Sequence, residues 1–334
     1  MNPTTDSLLR LESKVTMDLH LTGSTEKSSL SEHRLTACSS ADLKEAIAKS
    51  SSDVLAFADV DRKPADDALN SAKAVLEQGS TAAVVLYPAQ GLITDIWQHA
   101  DPEVAILALP PTRTATIVIN KQALESGLQE TGDVADPLWA IIAGLAAKGK
   151  VKGLPQGADS PLAKMELPDL APSTPGRNWN WLEESIRACT SRSELGRNAQ
   201  RTQLRAALYQ LNDYLDLSHE ASQSMEGDPI ADHWHAIMHR REPDYGNCKY
   251  WYRRVGQSPI FPDLNERAVA LQQEMENSPS RADIGSGQYA GHNWDAFGFV
   301  DFCADSARDG NSAAAQLARQ IQFVEMLLLL QMSL

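Results

Sequence analysis

The side chains best suited to chemistry are concentrated between positions 233 and 254. This segment holds three of the eight histidines of the chain, together with two tryptophans, three tyrosines and five lysines or arginines. The whole chain has a formal net charge of −14, so such a local excess of cations stands out. Imidazoles bind metal ions, guanidiniums bind phosphate or carboxylate through two parallel hydrogen bonds, and aromatic rings stack on sugars or bases. The segment therefore predicts a binding site.

Two of these histidines have the spacing of a metal site. His235 and His239 are four residues apart, which places both imidazoles on one face of a helix. With His219 or Glu226 as a third group they could hold zinc or iron. The order H-x-x-x-H lacks the glutamate of H-E-x-x-H, so the metalloprotease signature is absent. Two other interpretations stay open: contact with a phosphate or sugar phosphate, or a structural role in the core and at a helix end.

The cations of the segment indicate an anionic ligand. Pro243 ends a first helix, and Gly246 supplies a turn before a second, so the chain doubles back and brings Lys249 and Arg253 near His235. Alternatively, individual arginines pair internally with Asp213, Asp216 or Glu226. Beside the histidines and Glu226, the predicted ligand contacts are Arg240, Arg241, Lys249, Tyr250, Arg253 and Arg254. Trp251 is expected to be buried.

The N-terminal half has the pattern of a sheet covered by helices. Apolar runs typical of buried strands lie at 53–61, 81–87, 104–109, 114–119 and 151–154. Helices are predicted between them at 41–49, 66–78 and 137–148. Strands that alternate with helices indicate an α/β layer arrangement.

The C-terminal half is predicted to be helical. A proline-rich stretch separates it from the first half and is typical of a linker or a surface strap. Beyond it, helices are expected at 181–189, 193–217, 265–277 and 312–330. The predicted organisation is a poorly ordered lead-in at 1–30, an α/β domain at 31–155, a linker at 156–180 and an α-helical domain at 181–334.

Several short motifs of the N-terminal half are similar to motifs of a known protein family. They are Asp53–Asp61 followed by Lys63–Leu69, then Arg113–Leu124, Gly127–Glu130 and Asp136–Trp139. Within residues 35–155 they resemble the family 2 glycosyltransferases, whose fold is called GT-A. The resemblance implies a partial GT-A or Rossmann-like sheet. The copy is predicted to be incomplete, because the chain has no Q-x-x-R-W motif and little room for further strands before Asp53.

The same resemblance implies a second metal site. Asp59 and Asp61 match the D-x-D pair that holds Mg or Mn against the diphosphate of a nucleotide sugar, and hard carboxylate oxygens suit these ions. Asp133 or Asp136 would then be the catalytic base. The alternative is that Asp59 and Asp61 are solvated acids at the end of a strand.

A further resemblance concerns the histidine segment itself. Residues Trp234–Glu242 look like the Trp-His-Ala-Ile-Met-His-Arg-Arg-Glu core of an uncharacterised bacterial domain. This resemblance implies no activity, so the chemistry has to be inferred from the residues.

The bulk properties narrow the class of protein. The chain has 334 residues, an isoelectric point near 5.0 and 43% hydrophobic residues, as is usual for globular domains. Its acidity argues against nucleic-acid binding. Four widely spaced cysteines, the lack of a signal-peptide pattern and the lack of a membrane span predict a cytoplasmic protein with reduced thiols.

Three functions are compatible with these observations. The first is binding, with or without processing, of a phosphorylated sugar or nucleotide sugar. The second is a non-catalytic interaction protein whose polar cluster is structural. The third is a metal-dependent hydrolase or oxygenase that uses His235 and His239.

Overall fold

A five-stranded mixed sheet forms the centre of the N-terminal half. The computed structural model describes residues 39–59, 64–89, 91–111, 115–156, 167–172, 178–277, 289–310 and 312–334, and the backbone of 17–22. The strands are β1 Met17–Thr22, β2 Val54–Asp59, β3 Ala83–Pro88, β4 Thr116–Asn120 and β5 Val151–Gln156. Their order is β1-β2-β4-β3-β5, with β4 antiparallel to both neighbours and the other two pairs parallel.

The central strands are apolar on both faces because helices cover both sides of the sheet. On one face, Val54 and Ala56 pack with Leu69 and Leu76 of a single helix, α2. On the other face, side chains such as Phe57 belong to a much larger core.

Helices make up most of the rest of the described chain. In the first half they are α1 Ser40–Lys49, α2 Asp66–Glu77, α3 Gly91–His99, α4 Pro102–Ala108, α5 Lys121–Thr131 and α6 Pro137–Ala147. In the second half they are α7 Asn180–Cys189, α8 Asn198–Leu211, α9 Leu215–Gln223, α10 Pro229–Arg241, α11 Tyr245–Val255, α12 Phe261–Glu276, α13 Ala296–Ser306 and α14 Ala313–Gln331. The prediction of an α/β half followed by a helical half is confirmed at this level.

One predicted strand is a helix. The apolar run 104–109 lies within and just after α4, whose first turn contains Pro102 and whose N-cap, Asp101, accepts a hydrogen bond from the backbone N–H of Glu103. All residues from Glu103 to Leu109 are buried. A helix surrounded by protein has no polar face, so its sequence shows no helical periodicity and looks like a buried strand.

The predicted long helix at 193–217 is two helices. α8 ends at Leu211 and α9 starts at Leu215, because Asp213 adopts a left-handed backbone conformation with φ 64°. Asn212 holds the corner in place by donating hydrogen bonds from its side chain to Leu107 O and Leu208 O. The break sets the direction of α9, which carries His219.

The lead-in also differs from the prediction. Residues 17–22 form β1, which pairs with β2, although weak apolar periodicity had suggested no structure there. The remaining residues of this region lie outside the described part of the chain up to position 38.

The sheet and the helical half share one apolar core. The same cluster of buried side chains includes Leu43 and Leu330, and Trp181 donates a hydrogen bond to Ala135 O across the two halves. The predicted linker is anchored as well, since Asp169 O accepts hydrogen bonds from Arg241 and Gln322. The division into separate domains stays a prediction, but the packing across the boundary is continuous.

Three cysteines of the described chain, Cys189, Cys248 and Cys303, are buried free thiols. Burial raises the pKa of Cys303 to about 12, so this thiol stays protonated. Within the described residues, every helix is too short or too polar to cross a bilayer, in agreement with the predicted lack of a membrane span.

Candidate metal centre

The site is organised by α10, a polar helix that is buried on all sides. Asp228 caps its start, with Oδ1 accepting hydrogen bonds from the backbone N–H groups of Ile230 and Ala231 at 3.0 Å, and Pro229 occupies the first turn. Every residue from Ala231 to Arg241 is buried. A buried polar side chain is costly without a partner, so each one on this helix needs an explanation.

Helical geometry sorts these side chains into opposite faces. Successive residues of an α-helix are rotated by about 100°, so His235 and His239 lie roughly 40° apart on one face. His233 and Arg240 lie on the far side of the helix, about 140–160° away from His235. The concentrated polar segment is therefore two clusters, not one.

The first cluster consists of three histidines. His219 of α9 approaches His235 and His239 of α10, with ring centroids 4.6 Å and 5.3 Å apart, while the rings of His235 and His239 are 4.8 Å apart. One nitrogen from each ring lies within 4.8 Å of the other two. His219 is half-buried, so the cluster reaches the surface on the α9 side.

His235 is the most unusual of the three. Its ring is stacked on Trp251 of α11 at 3.8 Å between centroids, its side chain is 1% exposed, and neither ring nitrogen has a hydrogen-bond partner among the described residues. Burial lowers its pKa to about 3, and the charges of His239, His219 and Arg254 act in the same direction. The imidazole is therefore neutral at physiological pH and keeps a free lone pair.

Both ring nitrogens of His239, in contrast, have polar neighbours. Its Nδ1 lies 3.4 Å from Glu242 Oε2, and its Nε2 lies 3.0 Å from Asn247 Nδ2. Burial and the neighbouring His219 lower its pKa and outweigh the opposite effect of Glu242 and Asp244. This ring is also neutral near pH 7.

The three imidazoles match the donor set of a zinc site. Zinc binds histidine nitrogen at about 2.0–2.1 Å, so ligand nitrogens of a tetrahedral site are about 3.3 Å apart. The ring nitrogens start within 4.8 Å of one another. Binding of zinc would therefore require the rings to turn about the torsion between Cβ and the ring, which is a soft one. Three protein ligands leave a fourth position for water or a ligand, as in catalytic zinc sites.

The second cluster, on the other face of α10, is a closed ion-pair network. Glu325 of α14 accepts hydrogen bonds from Arg240 at 2.6 Å, Tyr252 at 2.7 Å and His233 at 3.1 Å, all fully buried. Burial alone would raise the pKa of Glu325, but the Arg240 guanidinium and the hydrogen bonds from His233 and Tyr252 hold it at about 2. A charge buried in this way is tied to its partners and contributes to structure.

Arg241 also forms its hydrogen bonds with groups inside the protein. Its guanidinium donates hydrogen bonds to Gln210 O, to Asp169 O at 3.0 Å and to the Asp213 carboxylate. The predicted role of Arg240 and Arg241 as ligand contacts is thus replaced by internal pairing. The reason is their position on α10, which turns both away from the histidines and into the core.

The cations of α11 also point in different directions, and Arg254 is the one that lies near the histidine cluster. Arg254 lies over Trp251, 4.9 Å from the ring centroid, and pairs with Glu226 at 2.9 Å and Asp232 at 3.3 Å. Glu226, predicted as a possible third metal ligand, therefore pairs with Arg254, and the described residue that lies beside His235 and His239 is His219. Tyr250 is 48% exposed, with its hydroxyl 3.5 Å from Arg254.

Lys249 and Arg253 do not converge on His235. They face α13 instead, where both lie over the Phe297 ring at 6.0 Å and 5.3 Å and Lys249 pairs with Asp301. The helices do double back as expected, but the α11 side chains that contact these histidines are Asn247 and Trp251. Trp251, at 6% exposed, is buried as predicted.

The acids of the N-terminal half lie far along the chain from this centre. Asp59 ends β2, but its side chain and the whole of Asp61 lie outside the described residues. Asp133 is exposed and accepts a hydrogen bond from Ser40, while Asp136 caps α6 by accepting one from the Trp139 backbone. The assignment of Asp59 and Asp61 to Mg or Mn, and of Asp133 and Asp136 to catalysis, stays a prediction.

Sequence reasoning overlooked Glu242, Asn247 and Glu325. Glu325 gave a usable signal, because a single acid just before the apolar run Met326–Leu330 requires a buried cation. Glu242 follows His235 by seven residues and so continues the His235–His239 stripe. Comparison of the chain with protein-family models, curated proteins and solved structures gave no match, so its function has to be inferred from the geometry of the three histidines.

Proposed function

We propose that the protein binds a divalent transition-metal ion, zinc in the first place, through His219, His235 and His239. The observation that carries the proposal is the state of His235, whose two ring nitrogens are buried without a partner among the described residues. Each unpartnered buried polar atom costs about 1–3 kcal/mol, so a purely structural site would be better filled by an apolar ring. A metal ion would compensate this cost.

The donor set determines the chemistry. Three neutral imidazoles suit zinc, copper, iron or nickel, whereas Mg and Mn prefer carboxylate and carbonyl oxygens. Neutral ligands also leave the full double charge on the metal. The open position therefore favours hydroxide or a small anion, and a zinc ion there lowers the pKa of bound water to about 7. The site thus suits metal-dependent hydrolysis or anion binding.

This proposal changes how an anionic substrate would be held. The sequence suggested arginine contacts for a sugar phosphate, but Arg240 and Arg241 are fully buried in internal ion pairs. A phosphate would instead bind through the metal itself, with the partly exposed Arg254 over Trp251, the ring that stacks on His235. Sugar phosphates and nucleotide sugars are accordingly tested with and without metal.

The first experiment measures metal binding directly. The full-length protein is stripped with a chelator and titrated with Zn²⁺ and Co²⁺ by calorimetry and absorption spectroscopy. We expect one ion per chain, and a loss of affinity of at least about 100-fold in His219→Ala, His235→Phe and His239→Ala, more than the loss typical of outer-shell changes. His99→Ala, an exposed histidine at the end of α3, is the matched control and should bind as the wild type does.

Two results would overturn the proposal. One is a wild-type protein that binds neither ion at micromolar concentration. The other is binding that survives all three substitutions, which would place the metal elsewhere in the chain.

A further inference from the structure

Arg254 is a partly exposed cation beside the histidine cluster. Its guanidinium carbon lies 4.9 Å from the centroid of the Trp251 ring, and the same ring is stacked on His235 at 3.8 Å. The guanidinium is therefore no farther from the centre of the His235 imidazole than the sum of these two distances. A phosphate that bridges a metal ion and a guanidinium spans on the order of 5–7 Å between them, so its size suits a separation of this kind.

The two acids that contact Arg254 differ in how firmly they are held. The Asp232 side chain is only 5% exposed, accepts a hydrogen bond from Arg254 Nε at 3.3 Å and accepts another from the backbone N–H of Gly227 at 3.0 Å. The Glu226 side chain is 51% exposed, lies in the turn after α9 and pairs with Arg254 Nη1 at 2.9 Å. An exposed ion pair adds little stability, so Glu226 can be displaced while Asp232 stays in place.

The contacts of the guanidinium leave one edge for a ligand. Asp232 occupies Nε, and Nη1 pairs with Glu226 and lies 3.5 Å from the Tyr250 hydroxyl. Nη2 makes no hydrogen bond to the described residues. Displacement of Glu226 would leave Nη1 and Nη2 as two parallel donors, the arrangement that binds two oxygens of one anion. A carboxylate has no third oxygen for the metal, whereas a phosphate group does.

We propose that Arg254 determines specificity for a phosphate group bound at the metal, and that Glu226 occupies the place of this group in the free protein. The inference rests on the proposed function, because the remaining phosphate oxygen needs the metal ion. Glu226 then acts as an internal competitor, and its removal should strengthen phosphate binding. A structural ion pair predicts no such gain.

The first experiment uses the full-length protein loaded with Co²⁺, whose visible absorption reports a ligand at the open position. Inorganic phosphate should bind about 10–100-fold more weakly to Arg254→Gln than to the wild type, the range expected for hydrogen bonds to a charged group. Arg254→Lys should lie in between, because it keeps the charge and loses the planar pair of donors. Imidazole, a neutral ligand of the same position, should bind all three proteins equally. Glucose 6-phosphate is titrated in parallel to distinguish an esterified from a free phosphate.

Glu226→Gln should have the opposite effect. Loss of an exposed ion-pair partner should let phosphate bind about 2–5-fold more tightly. Glu220→Gln removes an exposed acid of α9 next to His219 and controls for the change in charge alone. Arg253→Gln removes the neighbouring cation, which lies over Phe297. Both controls should bind phosphate as the wild type does.

The order of the measurements separates the two proposals. A wild-type protein that binds no Co²⁺ refutes the proposed function and this inference together, before any phosphate is added. If Co²⁺ binds but the wild type and Arg254→Gln have the same affinity for phosphate, the role of Arg254 is refuted and the metal site stands. An effect of Glu226→Gln no larger than that of Glu220→Gln refutes the role of Glu226 as the competitor.

Discussion

Replacement of His235 by phenylalanine should make the metal-free protein more stable. Phe keeps an aromatic ring against Trp251, where the imidazole is stacked at 3.8 Å, and removes two buried nitrogens that have no partner in the described chain. The relief of unpartnered polar atoms is worth about 1–3 kcal/mol each, and the larger ring costs on the order of 1 kcal/mol in repacking. We expect a net gain of roughly 1–5 kcal/mol in the free energy of unfolding at pH 7.

The difference in the free energy of unfolding between His235→Phe and the wild type should increase as the pH falls. The folded protein lowers the pKa of His235 from 6.5 to about 3, so below pH 6.5 the unfolded chain takes up a proton that the folded chain refuses. Wild-type stability therefore falls on acidification by up to about 1.4 kcal/mol per pH unit from this group. His235→Phe removes that contribution, so its advantage should rise by about 2–3 kcal/mol between pH 6.5 and 4.5.

Urea unfolding of chelator-treated protein at several pH values measures both effects. The matched control is His233→Phe, two residues earlier on α10, which is just as buried but bonds Glu325 at 3.1 Å. That variant should be destabilised by about 1–3 kcal/mol, the opposite sign. If His235→Phe is less stable than the wild type at pH 7, and the difference does not grow in acid, then His235 has a structural role and the reasoning fails.

Other positions give independent tests by chemical or thermal unfolding. Glu325→Gln should cost about 3–5 kcal/mol, because it leaves Arg240 buried without its counter-ion; a loss below 1 kcal/mol would show that the network is dispensable. The pKa of Glu325, lowered from 4.5 to about 2, also means that its stabilisation is complete above pH 4.5 and is lost as the pH falls toward 2. Gly153→Ala places a Cβ 2.5 Å from the Trp97 ring and should destabilise by about 1–3 kcal/mol, unless the ring turns aside. Asp228→Ala removes the N-cap of α10 and should cost about 1–2 kcal/mol, whereas an unchanged unfolding midpoint would rule out the cap as a determinant.

Most elements of the fold are predictable from the sequence because burial leaves a local pattern. The β2 run ends in acids, and α2 has an apolar stripe between a charged start and Gly79, so both were located within a residue or two. The failures have a common cause in tertiary contact. α4 lacks a polar face since protein surrounds it, and the corner at Asp213 depends on Asn212 reaching Leu107, more than a hundred residues away.

The site was predicted in part for a similar reason. Spacing along one helix identifies His235 and His239 as neighbours, and their proximity to His219 follows once α9 packs beside α10. Spacing along the same helix also separates Arg240 from the histidines, a consequence that a count of polar residues per segment conceals. The partner of Arg240 could not be assigned locally, because Glu325 lies on the last helix and is brought close only by the fold.

The opposite faces of α10 explain why the proposed metal site and a buried ion-pair network occur in one segment. A metal site needs its ligands held within a few tenths of an ångström, and the support has to come from residues whose own positions are fixed. Glu325 binds Arg240 of α10 and Tyr252 of α11 at once, and these residues directly adjoin His239 and Trp251 in the sequence. The ion-pair network therefore joins α10 and α11 on the side of α10 that is opposite to His235 and His239. The density of polar residues between positions 233 and 254 thus has two sources, because one face of α10 carries the histidines and the other carries Arg240, which ties the helix to Glu325.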